Sequence, residues 1–264
     1  MRYPSDLTDQ EWAQIAPLIP PARRGGNKRS VNVREVVNGL MYILSTGCQW
    51  RALPKDLPPR STVHDFRSVE LGRHARAHPS RAVHKMPRSG RARGQPDRRD
   101  HRQPERQERG KRGASIDPPG YDAGKKIKGK KRHILVDTQG LLMHALVHGA
   151  DVQDRDGGAW VMATLFGLHP FLMKLYADGG YQGPQFQRAV KKVLTRVNVE
   201  IVKRSDQAKG FVVLPKRWIV ERTFAWLGRC RRLAKDWENL NCKALAFLRL
   251  ASIRLMLRKL CNPA

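Results

Sequence analysis

The sequence predicts an α/β domain preceded by a small all-α, helix-turn-helix-like region. Three observations carry this. Apolar residues recur at helical spacing up to residue 66. Short apolar strands alternate with amphipathic helices from residue 114. Between them lies a basic stretch with almost no large apolar residues and no period. The expected organisation is a helical region over 1–66, a basic, disordered segment over 67–113 and an α/β domain over 114–264.

In the first region, Thr8 and Glu11 have capping-box spacing, and Leu7 and Trp12 stand where a hydrophobic staple forms. Ile15, Leu18 and Ile19 continue that helix to Pro20. Asn32 is placed to cap a second helix with Glu35 at its third position, Val33, Val36, Val37, Leu40, Met41 and Leu44 on its apolar face, and Gly47 at its end. Ser61 is expected to cap a third helix, STVHDF. Short helices joined by basic turns suit a DNA reader, and suit an ordinary helical bundle equally.

In the α/β region, RHILVDTQGLLMHALV reads as two strands around a D-T-Q-G turn. KLYAD reads as a short buried strand ending in an acid, PQFQRAVKKVLTR as an amphipathic helix and VEIV as a strand. KRWIVERTFAWLGRCRRL and ALAFLRLASIRLMLRKL each read as one helix.

Lys and Arg number 51 against 23 Asp and Glu, a formal net charge of +28. A surplus this large points to a polyanionic partner, nucleic acid above all. The four cysteines, Cys48, Cys230, Cys242 and Cys261, form no C-x-x-C pair, which argues against zinc and for reduced thiols. The opening MRYPSDLTDQEW has no apolar signal region and no apolar run approaches a membrane span, so a cytoplasmic, nucleoid-associated protein is expected.

Two acids stand out. Asp178 ends the apolar run KLYA beside glycines, where a carboxylate serves either as a metal ligand or as a turn residue satisfied by backbone amides. Glu221 sits among Ile219, Val220, Thr223, Phe224, Trp226 and Leu227, where a carboxylate is costly unless it is metal-bound or paired with Arg217 or Arg222.

YADGGYQGP and RWIVERTFAWLGRCRRL resemble the second and third acidic segments of DDE-type transposases of bacterial insertion sequences, close to the family-five branch. YPSDLTDQEWAQIAPLIP, TGCQWRALPKDLPP and GASIDPPGYDAGKKIKGKKRHILVDTQGLL resemble the group's N-terminal and early catalytic segments in order. The resemblance implies an RNase H-like mixed sheet with helices, incomplete in this chain, and a DNA nuclease and strand transferase. It further implies two divalent metals, Mg²⁺ or Mn²⁺ in its place, held by three carboxylates. It makes Asp178 the second acid, Glu221 the third and Arg217 the supporting arginine before it. The basic position seven residues after the glutamate falls on Gly228, beside Arg229. The implied partner is double-stranded DNA, terminal inverted repeats and target, held by a homodimer.

The family's first aspartate belongs on an apolar strand upstream of GASIDPPG, but RRDHRQPERQERGKRG stands there, and neither Asp97 nor Asp100 lies on such a strand. The genetic code offers a reason. Arg99 to Glu108 can be encoded so that dropping one base yields A-I-I-D-S-Q-S-V-K-S, an apolar strand ending in an acid. The same shift from Arg67 yields D-L-W-N-W-D-G-T and then an amphipathic helix. Arg67 to about Gly113 therefore reads as translated out of frame, against the alternative of a genuine basic linker, and no first catalytic aspartate is assigned. Asp137 reads as a hairpin turn residue, with a metal role as the alternative.

Lys125, Lys126, Lys128, Lys130, Lys131 and Arg132 form a cationic run leading into a strand and suited to phosphate contact, or to keeping a strand edge solvated. Arg229, Arg231 and Arg232 follow Glu221 on the expected helix and are read as holding DNA beside the metals, with terminal-repeat recognition expected of the N-terminal helices, around Ser61 to His64. Two other functions fit the composition. One is a non-catalytic DNA-binding inhibitor of the element's ends; the other is a basic RNA-associated protein.

Overall fold

Residues 2–21, 30–66, 116–117, 119–124, 126–165, 172–203 and 215–262 are described by a computed structural model, with main chain alone at 215 and 217. The segment 67–113 with Asp97 and Asp100, Lys125, and the side chain of Arg217 lie outside the described residues.

Local hydrogen bonds set the first helices. Thr8 Oγ1 accepts the Glu11 N–H and the Glu11 carboxylate accepts the Thr8 N–H, a reciprocal pair that opens α1 (Asp9–Ile15). Asn32 accepts the Arg34 N–H and opens α2 (Val33–Thr46). Gly47 closes α2 at φ 66°, where a Cβ would also press on the Arg231 main chain. A third helix, α3, runs over 60–66. It starts earlier than expected: the Val63 N–H bonds to the Pro59 carbonyl, so Ser61 lies inside the first turn and does not cap it. Pro59 stands at the N-cap position, and its carbonyl accepts the first intrahelical bond.

The rest is mixed α/β, as the sequence predicts. Strands β1 (Gly120–Asp122), β2 (Ile127–Val136) and β3 (Leu142–Gly149) form an antiparallel sheet. Strands β4 (Lys174–Asp178) and β5 (Asn198–Val202) form a separate parallel pair. Helix α4 (Asp154–Ala163) links β3 to β4, and α5 (Pro184–Val193) links β4 to β5. Helices α6 (Pro215–Gly228) and α7 (Asn241–Cys261) complete the fold.

The β2–β3 turn is built by side chains. Asp137 Oδ1 accepts the N–H groups of Gln139 and Leu141, which makes Asp137 the turn residue of the hairpin. Gly140 adopts φ 82°, and its carbonyl accepts from Thr223 Oγ1 at 2.8 Å, tying the hairpin to α6. A Cβ at Gly140 would stand 2.7 Å from that hydroxyl, so only glycine fits.

Helix α6 is shorter than the sequence reading. It stops at Gly228, the chain extends at Cys230, and a 3₁₀ turn over Arg231–Leu233 follows. Glycine is a weak helix former, and Arg232 is drawn inward to Glu238. Arg229, Arg231 and Arg232 therefore lie beyond the helix of Glu221.

Apolar side chains gather in two clusters. The larger joins α2, β3, α6 and α7, with Leu44, Val147, Leu227 and Phe247 at its centre. The N-terminal helices thus share one core with part of the α/β region. The smaller, around Met162, Leu165, Leu175, Phe186 and Val190, packs α4 and α5 on β4. Phe247 is 1% exposed. Phe247→Ala is expected to cost about 3–5 kcal/mol in urea unfolding, and a loss under about 1 kcal/mol would contradict this packing.

Candidate active-site cleft

A cleft of about 680 Å³ lies between the two sheets. Every residue from Ile127 to Leu135 and from Leu175 to Asp178 lines it. Successive side chains of a strand point to opposite faces, so an unbroken run of lining residues means that the cleft follows strand edges. Val220, Glu221 and Phe224 of α6 and Val161 and Met162 of α4 line it as well. Asp178 and Glu221, far apart in sequence, thus open on one cavity.

Asp178 ends β4 and turns back on the chain. Its Oδ1 accepts the Gly180 N–H at 2.9 Å, capping the 3₁₀ turn Gly179–Tyr181. The turn role and the cleft position coexist, because a carboxylate has acceptor capacity beyond one amide. Glu221 differs from the sequence expectation of a costly carboxylate on an apolar helix: it is solvent-exposed. Arg222 turns instead to the Gln139 carbonyl at 3.3 Å and stacks over Trp226.

The structure adds residues that the sequence reading passed over. Asp154, in the first turn of α4, also lines the cleft, and its carboxylate and that of Asp178 both close on Gly180. Lys131 Nζ bridges Asp122 at 3.1 Å and Asp154 at 3.2 Å. Burial opposes the Lys131 charge, but its hydrogen bonds to Asp122 and Asp154 outweigh that and raise its pKa. Asp154 is thereby neutralised by a lysine. Tyr181 packs beneath, its hydroxyl 2.7 Å from His133 Nδ1. Burial, and then the charges of Asp178 and Asp154, hold that phenol far above its usual range. His133 stacks on His148 at 4.7 Å, and both Nε2 atoms crowd Gly157, where no Cβ fits. The DRDGG opening of α4 was the available signal: acids beside glycines at a helix start.

The sequence matches the family described as "Transposase DDE domain" over residues 89–256. The chain belongs to this family. A second family, "Putative transposase of IS4/5 family", matches residues 7–69. Two curated relatives come from Burkholderia cepacia. A putative transposase for insertion sequence element IS402 is 33% identical over 129 residues, 46% of this chain and 60% of the relative. An uncharacterized 16.2 kDa protein of the same element is 30% identical over 67 residues, 24% of this chain and 46% of the relative. The chain thus spans less than two thirds of the length of either. No solved structure matches. The mixed α/β architecture with its N-terminal helices is consistent with an RNase H-like transposase.

DDE domains generally depend on divalent metal. Among the described residues no group of three His, Cys, Asp or Glu side chains could hold a metal ion. Asp178 and Glu221 alone do not fit a two-metal site, and Asp154 is engaged by Lys131.

The basic residues of the DDE domain divide into two groups. Lys126 lies in the turn ahead of β2, and Lys128, Lys130, Lys131 and Arg132 of the cationic run lie within the strand. Lys130 Nζ donates to the carbonyls of Glu238 and Asn239, and burial lowers its pKa against nearby carboxylates. Arg132 bonds to the Leu233 carbonyl and Asp236. Arg232 is buried, ion-paired with Glu238, bonded to the Cys48 carbonyl and stacked near Trp50 and Phe247. Lys126, Lys128, Arg229 and Arg231 are exposed. No helix among the described residues is long and apolar enough to cross a membrane.

Glu238→Ala strands the buried Arg232 charge and is expected to cost about 3–5 kcal/mol, while Arg231→Ala stays within about 0.5 kcal/mol in the same denaturation assay. Equal effects would contradict the division. His148 is depressed by burial and by Lys131, against the Gly149 carbonyl. A depressed folded pKa gives stability that is full above the unfolded value of about 6.5 and lost as pH falls below it. Thermal unfolding across that window is expected to show the decline, reduced in His148→Phe; an unchanged profile in the variant would contradict the assignment.

Proposed function

We propose that this chain is an insertion-sequence transposase copy that binds double-stranded DNA at its element's ends and is impaired in metal-dependent cleavage and strand transfer. The observation that carries this is the cleft. Two acids in the family's motif positions, Asp178 and Glu221, open on it, and no third metal-competent carboxylate joins them among the described residues. The frame reading of 67–113 supplies the reason: the strand and its aspartate are encoded one base out of phase. Two separate proteins of one insertion element each match part of this chain, which suits a coding region divided between frames.

The chain's own groups bind and position. Lys126, Lys128, Arg229 and Arg231 contact phosphates, and the N-terminal helices contribute end recognition. A homodimer pairs two ends. Arg217 supports Glu221, and Lys125 extends the phosphate strip.

A duplex carrying the element's ends, with Mg²⁺ or Mn²⁺, separates the alternatives. Retarded mobility without nicking is expected, with log affinity falling linearly with log salt and the slope reduced by about 1 in Lys128→Ala. Nicking at the ends that disappears in Asp178→Asn would contradict impairment. Preference for RNA over the duplex would contradict the transposase reading. A second reading, an inhibitor that occupies the ends, is favoured by the retained helical region over 1–66; it requires the chain to suppress cleavage by an intact copy.

A further inference from the structure

The cleft has the geometry of a strand-binding slot. The Ala150 N–H bonds to the Gly129 carbonyl, so the pair Lys130–Gly149 is of the non-hydrogen-bonded kind. In that register Lys130, Arg132 and Ile134 turn their main-chain N–H and C=O groups away from β3. The Asn198 N–H bonds to the Met173 carbonyl in the parallel pair, so Lys174, Tyr176 and Asp178 turn theirs away from β5. Both outward rows belong to strands that line the one cleft. β2 and β4 do not pair with each other, yet α6 packs against both. A single helix, about 10 Å across, therefore straddles two edges. Two inter-strand steps of about 4.8 Å fill the same width, which is room for one strand.

The walls suit an apolar strand. Ile134, Leu175, Ala177, Met162, Val220 and Phe224 line the slot. Phe224 is 36% exposed on a helix face that would otherwise be core. The two hydrophobic clusters lie as separate groups. One end is closed: Asp236 Oδ2 accepts the Lys130 N–H and its Oδ1 pairs with Arg132, which occupies the β2 edge there. The edge groups left without a ladder partner among the described residues are those of Arg132 and Ile134 on one side and Tyr176 and Asp178 on the other, a length for about five extended residues.

We propose that the folded chain takes a short apolar peptide in trans as an extra strand between β2 and β4, and that the peptide is A-I-I-D-S-Q-S-V-K-S, the sequence encoded one base out of phase at Arg99 to Glu108. Binding of this kind rests on main-chain hydrogen bonds to both edges and burial of the isoleucines on α4 and α6. The choice of peptide rests on the transposase reading; the slot itself rests on the two edges alone.

The test uses the full chain and the synthetic peptide. Saturable binding is expected in fluorescence anisotropy, with slowed amide exchange at Arg132, Ile134, Tyr176 and Asp178. A peptide with proline in place of its second isoleucine loses an N–H and is expected to bind at least tenfold more weakly. Absence of binding, protection elsewhere, or equal binding by the proline peptide overturns the proposal. So does protection of the same four amides without peptide that grows with protein concentration, which means that a second copy pairs there. A peptide with asparagine in place of aspartate separates the two readings. If both peptides bind and Mg²⁺ tightens only the aspartate form, slot and transposase reading stand together. If Mg²⁺ affects neither, the slot stands and the metal-site reading falls.

Discussion

A strand in a buried sheet satisfies its main chain through neighbours on both sides; among the described residues β2 pairs with β3 and, at its start, with β1, and β4 pairs with β5, which leaves the outward groups of Arg132, Ile134, Tyr176 and Asp178 facing the cleft. Much of the structure follows from that constraint. The sheet lies in two pieces, the apolar side chains collect in two clusters, and α6 shows part of an apolar face to a cleft instead of a core. The acids that mark the family, Asp178 and Glu221, stand at the same cleft, and no third metal-binding side chain groups with them among the described residues.

Charge tells a parallel story. A formal surplus of +28 suggests a surface covered in phosphate-binding groups. Several of the cations are instead structural. Lys131 bridges two aspartates, Lys130 caps two carbonyls, and Arg232 stands buried against Glu238 beneath Trp50. A buried cation held by a carboxylate and a carbonyl cannot also reach a phosphate without leaving an uncompensated partner behind. Of the cationic run and the arginines after Glu221, Lys126, Lys128, Arg229 and Arg231 are the ones left exposed among the described residues.

Local chemistry was legible in the sequence wherever one short-range rule governs. The Thr8–Glu11 box, the Asn32 cap, the Gly47 stop, the D-T-Q-G hairpin and the strand ending at Asp178 all stand as the residues predict. Most of the failures come from contacts outside the local motif. No helical or strand period pairs Arg232 with Glu238, six residues on, so the burial of Arg232 beyond the end of α6 is not signalled. Nothing near Lys131 announces Asp154, because the pair is made only when α4 packs beside β2. Ser61 is not the cap because the helix opens two residues earlier, with the Pro59 carbonyl accepting from Val63, a local boundary read too late. The convergence of Asp178 and Glu221 on one cavity rests on motif resemblance and not on any periodicity in the chain.

The central claim is that the slot between β2 and β4 exists because Arg67 to about Gly113 is read in the wrong phase. Resequencing the coding DNA from the codon of Phe66 to that of Gly113 tests it most directly. The account predicts that the frame shifted by one base spells an apolar strand ending in aspartate, preceded by an amphipathic helix. Stop codons or unrelated residues in that frame would contradict it, and the basic stretch would then be a genuine part of the protein.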